Sequence, residues 1–415
     1  MSLPRAVAVA LALLGLAAAL PSAAEPLAKV PPTGVQTCLA LDTKKDDWPT
    51  PQPCNGTGPL KLLPKQDGTL GVGPPAYEAV AGHPLTDCVR DRVSGLVWEG
   101  KPDSGQLQRI VAAMAAGQPG AEDLLDNYGP GNEPRPGSRV NTDAYSYHGD
   151  GRPGDALAYV AQVNAARLCG YTDWRLPTTA ELFGIADVNT LMGADERAHR
   201  LARGLPAIDT RWFPHTVPRR HLTAEAADST SMWCVDFKTA SVYTCHRLMI
   251  RGAEPVFVRL VRGPQVPEGG RWREAVDERG LPGGVVEDRL TGLVWRRCAE
   301  PQTWNGRRCT WSAKRYDYVR AVQHAGAQPG WRLPTVKEMN SLVGRRLDGL
   351  DVPPADFPPT GAEPLRQGFW TSTVCNGSPQ TDTARAAISA WVLSKEGNVY
   401  CESRLMERGM RLVRE

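Results

Sequence analysis

Apolar positions along the chain fall into one order and then repeat it. Leu and Val stand ahead of a Trp and behind a Gly in DRVSGLVW at 91–98, and again in DRLTGLVW at 288–295. A short apolar run beside a glycine predicts a strand next to a tight turn. Helical spacing follows in the first copy at Leu157, Val160, Ala161 and Leu168, with Asp155 placed to cap the start and Gly170 the end. Next come DWRLPTTAEL at 173–182 and GWRLPTVKEM at 330–339. Pro177 and Pro334 end an extended segment, and Thr178 with Glu181, like Thr335 with Glu338, forms the Thr-x-x-Glu capping box of a second helix. Leu182, Ile185 and Ala186 match Met339, Leu342 and Val343, the spacing that turns one helix face to a core.

Each copy closes on a Trp-bearing hairpin and the tetrapeptide RLVR, at 259–262 and 411–414. In the first hairpin a turn at 238–241 sets Phe237 opposite Val242 and Cys234 opposite Cys245; in the second, a turn at 395–398 sets Val392 opposite Cys401. Three matched blocks in one order mean a duplicated domain, so differences between the copies are where function is sought. The expected layout is a Pro/Gly-rich segment at 25–85, a first copy at 86–263, a connector at 264–284 and a second copy at 285–415.

Arg5 followed by an uncharged run at 6–20 and the small residues Ser22, Ala23 and Ala24 has the layout of a secretory signal peptide over 1–24. A retained N-terminal anchor is the alternative. No later stretch has the length of a membrane span, so a soluble, exported protein, secreted or periplasmic, is expected. Ten cysteines in such a chain argue for disulfides. The first hairpin favours Cys234 with Cys245, Cys401 is expected to reach Cys375 on the FWTSTVC strand, and local pairing of Cys38 with Cys54 and Cys298 with Cys309 leaves Cys88 with Cys169; sequence alone does not fix the connectivity. A net charge of +3 over 415 residues argues against a nucleic-acid partner.

The combination of a DR-x-(S/T)-GLVW start, a WRLPT-x-x-E centre and a Trp-bearing hairpin ending in R-x-VR resembles the Lcl C-terminal domain family, named after a collagen-like adhesin. The resemblance implies an α+β fold of two tandem C-type-lectin-like domains, with short helices packed on small antiparallel sheets and disulfide staples. It also implies an exported bacterial protein, and the namesake domain binds sulfated glycosaminoglycans. The chain departs from the namesake in lacking collagen-like repeats and in carrying an insertion between the first and second blocks of copy one.

Arg175 and Arg332, inside the repeated WRLP block, are read as arginines held by a carboxylate or by carbonyls rather than as anion ligands. Trp98, Trp295, Trp174, Trp331, Trp233 and Trp391 recur in scaffold blocks and are read as core rather than as sugar platforms. Unmatched aromatics are better ligand candidates. Tyr145, Tyr147 and His148 lie in the insertion near Asp143, Asp150 and Asp155, suited to a sugar or a calcium ion, against the plain reading of a polar loop. The arginine doublets Arg219-Arg220, Arg296-Arg297, Arg307-Arg308 and Arg345-Arg346, with His221 beside the first, would make a polyanion patch if clustered and a solvated surface if scattered. No hydrolase elbow, zinc-protease motif or phosphate loop occurs, and Cys245-His246 is weighed as thiol chemistry against a hairpin disulfide. Asn55 and Asn376 precede glycine and are read as turn residues. The expectation is a binding or adhesion-type protein for a glycan or a cell-surface protein, with a structural envelope component second and a formylglycine-generating type of enzyme third. No cofactor or metal is implied.

Overall fold

The computed structural model describes residues 28–41, 49–70, 75–116, 118–120, 138–141, 143–191, 206–248, 256–265, 270–346, 349–351, 368–376, 388–394 and 396–415. The segment 1–24, expected from its sequence to be a signal peptide, lies outside them. The described chain is mixed α/β, built of small antiparallel sheets and a few short helices.

The repeated first block makes a complete hairpin, not one strand. Asp91 ends β5 (Cys88–Asp91) and Val97 opens β6 (Val97–Glu99). Its carboxylate accepts from Val93 N at 2.8 Å and Ser94 Oγ at 2.7 Å, and Gly95 takes φ 73°. In the second copy Asp288 ends β12 (Pro282–Asp288), accepts from Leu290 N at 3.1 Å and Thr291 Oγ1 at 2.7 Å, and Gly292 takes φ 77° before β13 (Val294–Arg296). An Asp that bonds its own turn, followed by a glycine free to be left-handed, explains the spacing of the motif.

Each hairpin is flanked by two further strands. The first sheet has the order β10-β6-β5-β4, with β4 (Tyr77–Ala79) and β10 (Val261–Arg262); the second has β21-β13-β12-β11, with β11 (Trp272–Val276) and β21 (Val413–Arg414). The outer strands β4 and β11 lie upstream of the expected boundaries. Strand β4 falls in the segment at 25–85 and β11 in the connector at 264–284. Further upstream in that N-terminal segment, β1 (Thr37–Leu41) pairs with β2 (Pro49–Pro53) and β3 (Lys61–Leu62), closed by Cys38–Cys54. Lys65 Nζ then donates to the carbonyls of Gln328 and Trp331 in the second copy, at 2.6 and 2.8 Å.

Among the described residues, besides α1 (Gln106–Ala115) in the insertion, each copy holds two α-helices, α2 (Ala156–Ala165) and α3 (Thr179–Gly184), then α4 (Tyr318–Gly326) and α5 (Val336–Leu342). Asp155 caps α2 at Leu157 N, but the helix stops at Ala165 and Leu168 to Gly170 form a separate turn. Both predicted capping boxes are formed, Thr178 with Glu181 and Thr335 with Glu338.

The last blocks join the copies. Strands β7 (Arg220–Ala226), β8 (Ser231–Asp236) and β9 (Ser241–His246) continue through β20 (Val399–Ser403), β19 (Ile388–Leu393) and β18 (Phe369–Asn376) as one six-stranded sheet. The hairpin registers differ from expectation: Cys234 faces Tyr243, not Cys245, and Val392 faces Tyr400, not Cys401. The bridges form all the same, because Cα atoms 5.9 Å apart for Cys234–Cys245 and 6.3 Å for Cys375–Cys401 lie in disulfide range. Cys88–Cys169 and Cys298–Cys309 complete the set.

One core runs through both copies, with Trp98, Phe183 and Trp233 from the first and Trp295, Trp331 and Trp391 from the second. A smaller cluster around Tyr145, Tyr159 and Trp174 belongs to the first. The copies thus share a main core. Lys337 stitches the junction: its buried ammonium donates to Pro32 O at 3.0 Å and Gly184 O at 2.7 Å. Two small hairpins lie in the second copy, β14 (Thr303–Trp304) with β15 (Cys309–Thr310), and β16 (Gly344–Arg346) with β17 (Gly349–Asp351).

Candidate functional site

The insertion of the first copy is largely consumed by its own fold. Tyr145 is 3% exposed, with its ring 4.7 Å from Tyr159 and its N–H donated to Val256 O. It is a core residue, not the loop aromatic the sequence suggests. Tyr147 and His148 are half-buried; Arg247 lies 5.7 Å over the Tyr147 ring and also bonds the carbonyls of both. Asp155 accepts from His148 N, Gly149 N and Leu157 N, Asp143 accepts from Ser138 Oγ, and Asp150 pairs with Arg152. Carboxylates so occupied form no metal cage, and no group of three metal-binding side chains occurs among the described residues.

The described arginines of the doublets are mostly drawn into the fold. Arg219 is 6% exposed, with Nη1 on Pro218 O, and Arg220 opens β7 half-buried. Arg345 and Arg346 lie on β16, which packs beside β7; their side chains fall outside the described atoms. Arg296 pairs with Glu300 at 2.9 Å, and Arg297 is buried against Glu274 and the Trp304 ring. His221 lies between Phe237 and Phe257, and burial holds its pKa down to about 3, so it is a neutral core residue. Arg175 and Arg332 are held bidentately by Glu181 and Glu338, the same carboxylates that close the capping boxes.

Behind β6 the first copy buries a charged knot. Glu99, fully buried, meets Lys101 Nζ at 2.9 Å, Arg139 Nε at 3.4 Å and the Tyr159 hydroxyl. Burial pushes the Glu99 carboxyl up, but Lys101 and Arg139 together with the Tyr159 and Leu260 hydrogen bonds hold it below its ordinary value. The Arg139 guanidinium reaches in from the insertion to Asp87 and to the carbonyls of Thr86, Asp87 and Gly100.

Among the described residues the second copy has no such plug, and what it presents instead is the most exposed aromatic of the described protein. Cys298–Cys309 closes the loop that carries β14 and β15. At its tip Asn305 Oδ1 accepts from Arg307 N and Arg308 N at 3.0 and 2.9 Å, an Asx turn that leaves both side chains exposed. Just beyond, Trp311 is 80% exposed at φ 67°, a left-handed conformation costly for a bulky residue, and Gln302 Nε2 pins its carbonyl at 2.9 Å. Lys314 and Arg315 follow, also exposed. The side chains of these four cations make no ion pair among the described residues. Sequence reasoning passed over Trp311. The signal was available: an aromatic with no counterpart in the other copy, inside a run of basic residues.

Between this loop and the β11–β12 turn lies a cavity of about 450 Å³, lined by Asp277, Arg279, Arg296, Gln302, Trp304 and Gln328 among others. A second cavity of about 390 Å³ lies between the copies, against Trp98, Arg175 and Arg271; both arginines are already paired, with Glu181 and Asp288. All ten cysteines are bridged, which fits an oxidising extracellular or periplasmic setting. No described helix is long and apolar enough to cross a membrane.

No curated protein and no solved structure matches the chain. The profile of the Lcl C-terminal domain matches residues 87–262 and again 284–414, about three quarters of the sequence, in a family associated with adhesin-like proteins. Doubled capping boxes and doubled hairpins therefore belong to two tandem copies of one module, and the chain is a member of the Lcl C-terminal domain family.

Proposed function

We propose that the protein is an exported, non-catalytic binding protein of the adhesin type, with C-type-lectin-like copies, and that its second copy holds an anionic glycan. The observation that carries this reading is Trp311, 80% exposed two residues beyond the loop closed by Cys298–Cys309 and flanked along the chain by the exposed Arg307, Arg308, Lys314 and Arg315. An exposed indole offers apolar area to a sugar ring, and unpaired cations attract sulfate or carboxylate groups. A rigid loop supplies such contacts at low ordering cost. The leader at 1–24 would deliver the chain across the membrane. A catalytic reading of the formylglycine-generating kind would call for free thiols, and none is free among the described residues.

The test is a glycan array and a heparin column, run with the mature protein and with Trp311→Ala and Arg307→Ala/Arg308→Ala. Retention of the mature protein beyond about 0.15 M salt, where charges are screened within about 8 Å, is expected, with both variants eluting earlier. Elution of the unmutated protein below that salt, with a blank array, would leave a structural envelope role as the better account.

A further inference from the structure

We infer that the cavity beside Trp311 is a subsite for one neutral sugar unit. This rests on the glycan reading above and names what the polar cavity adds to the basic loop.

The two copies differ here in a way that defines the ligand. Cys88 pairs with Glu99 across the first hairpin as Val285 pairs with Arg296 across the second, so Asp87 corresponds to Gly284 and Glu99 to Arg296. In the first copy this space is filled by the Arg139 guanidinium, held by the Asp87 and Glu99 carboxylates and by three carbonyls. In the second copy Gly284 and Arg296 stand where the two carboxylates were, a Cβ at Gly284 would come within 2.5 Å of Asp277 Oδ2, and among the described residues no guanidinium is inserted in the way Arg139 is. The space is left as a cavity of about 450 Å³, within the roughly 300–1,000 Å³ of small-molecule sites.

Its charges cancel. Asp277 is taken by Arg279 at 2.7 Å, and Arg296 by Glu300 at 2.9 Å with Glu278 at 4.0 Å. A cation would meet Arg296 where the first copy has Glu99; an anion would find both guanidinium groups engaged. What remains is hydrogen-bonding capacity and an apolar wall. Gln302, 7% exposed, has an Oε1 with no partner among the described residues, Gln328 and Thr303 stand at the rim, and Trp304 closes one side. A buried acceptor left without a donor is destabilising, and a sugar hydroxyl is a neutral donor that relieves it. A pyranose combines several such hydroxyls with an apolar ring face.

The test uses neutral monosaccharides as probes: glucose, galactose, mannose and N-acetylglucosamine, followed by saturation-transfer NMR and calorimetric titration on the mature protein. Thr303 is exposed at the rim, so Thr303→Trp plugs the cavity from outside the core; Thr303→Arg serves if the indole disturbs the β14–β15 hairpin by near-ultraviolet dichroism. At least one sugar should bind, and the plug should weaken it by about tenfold or more, while Trp311→Ala changes it by less than about threefold. Absence of binding by all four sugars, or affinity unchanged by a folded plug variant, overturns the subsite. Retention on heparin that is lost in Trp311→Ala, without any monosaccharide binding, would sink the subsite and leave the glycan reading standing. Monosaccharide binding lost in the plug variant, without heparin retention, would do the reverse.

Discussion

Val242 and Val399 face each other across the strand pair that turns two three-stranded sheets into one. The same seam carries helix α3 against α5, the Lys337 bonds to Gly184 and Pro32, and a core that draws tryptophans from both copies. A duplicated domain has become a single cooperative unit. The mature protein should therefore unfold in one calorimetric transition with equal calorimetric and van't Hoff enthalpies, and a fragment of 264–415 should not fold alone. Two resolved transitions, or a folded fragment, would contradict a shared core.

Glu338 does two jobs, capping α5 through Thr335 and holding Arg332 bidentately in a site where both side chains are 10% exposed. Glu338→Ala removes the cap and strands a buried guanidinium, and should destabilise by about 3–5 kcal/mol. Glu181→Ala at the matched position should be milder, because the Arg175 side chain is 23% exposed. Denaturant titration of both variants checks the order.

Asp67 ties the N-terminal segment to β18: it accepts from Thr33 Oγ1 at 2.8 Å and from Thr373 Oγ1 at 2.5 Å. Burial pushes its pKa up from 3.8 to about 6. A folded pKa above the unfolded one means that the proton is held more tightly in the fold. Its contribution is complete below pH 3.8 and is lost as pH rises through about 6. His221 has the opposite sign: burial lowers its pKa from 6.5 to about 3, so its contribution, present above 6.5, is lost as pH falls towards 3. Asp67→Asn keeps an acceptor and removes one titration. At about pH 7 it should be more stable than the parent by up to about 3 kcal/mol. If the pH profiles of the two proteins run parallel from 3.8 to 6, Asp67 is not the titrating group.

Trp98 and Trp311 should respond in opposite ways. The first is fully buried and the second 80% exposed. Trp98→Ala should cost about 3–5 kcal/mol of stability, and Trp311→Ala within about 0.5 kcal/mol while lowering glycan binding. Thermal melts beside array signals separate the two effects, and a Trp311 variant that melts early without losing ligand would reverse the assignment.

The five bridges close loops of unequal length. Cys88–Cys169 spans 81 residues and Cys298–Cys309 spans 11. Constraint of the unfolded chain grows with loop length, so replacing the first pair by Ala should cost about 4 kcal/mol and the second about 2–3. Loss of the shorter bridge should also weaken binding at Trp311, because Cys309 lies two residues away. Denaturation in parallel with heparin retention reads both.

Much of the scaffold was legible along the chain. The Asp-to-Ser/Thr turn with its left-handed glycine, the two capping boxes and the Trp-headed hairpins are interactions among residues a few positions apart, so their chemistry is written in the spacing. The tryptophans repeated in those blocks could be assigned to the core for the same reason. Even the overlooked strands had a faint signature, since Glu-Ala-Val at 78–80 recurs at 274–276. It was hidden by a run of turn residues that looked like a linker.

The candidate site was far less legible. Tyr145 and Trp311 are both unmatched aromatics among polar neighbours, yet one packs against Tyr159 and the other stands in solvent. The amino-acid sequence by itself determined the duplicated module, its turns and caps and its oxidised character, because these rest on short-range hydrogen bonds and composition. Only the tertiary structure decided that the copies share a sheet and a core, that Arg139 fills a space in one copy which stays open in the other, and which aromatic is left outside. Burial depends on what arrives from distant parts of the chain, and no local pattern records that.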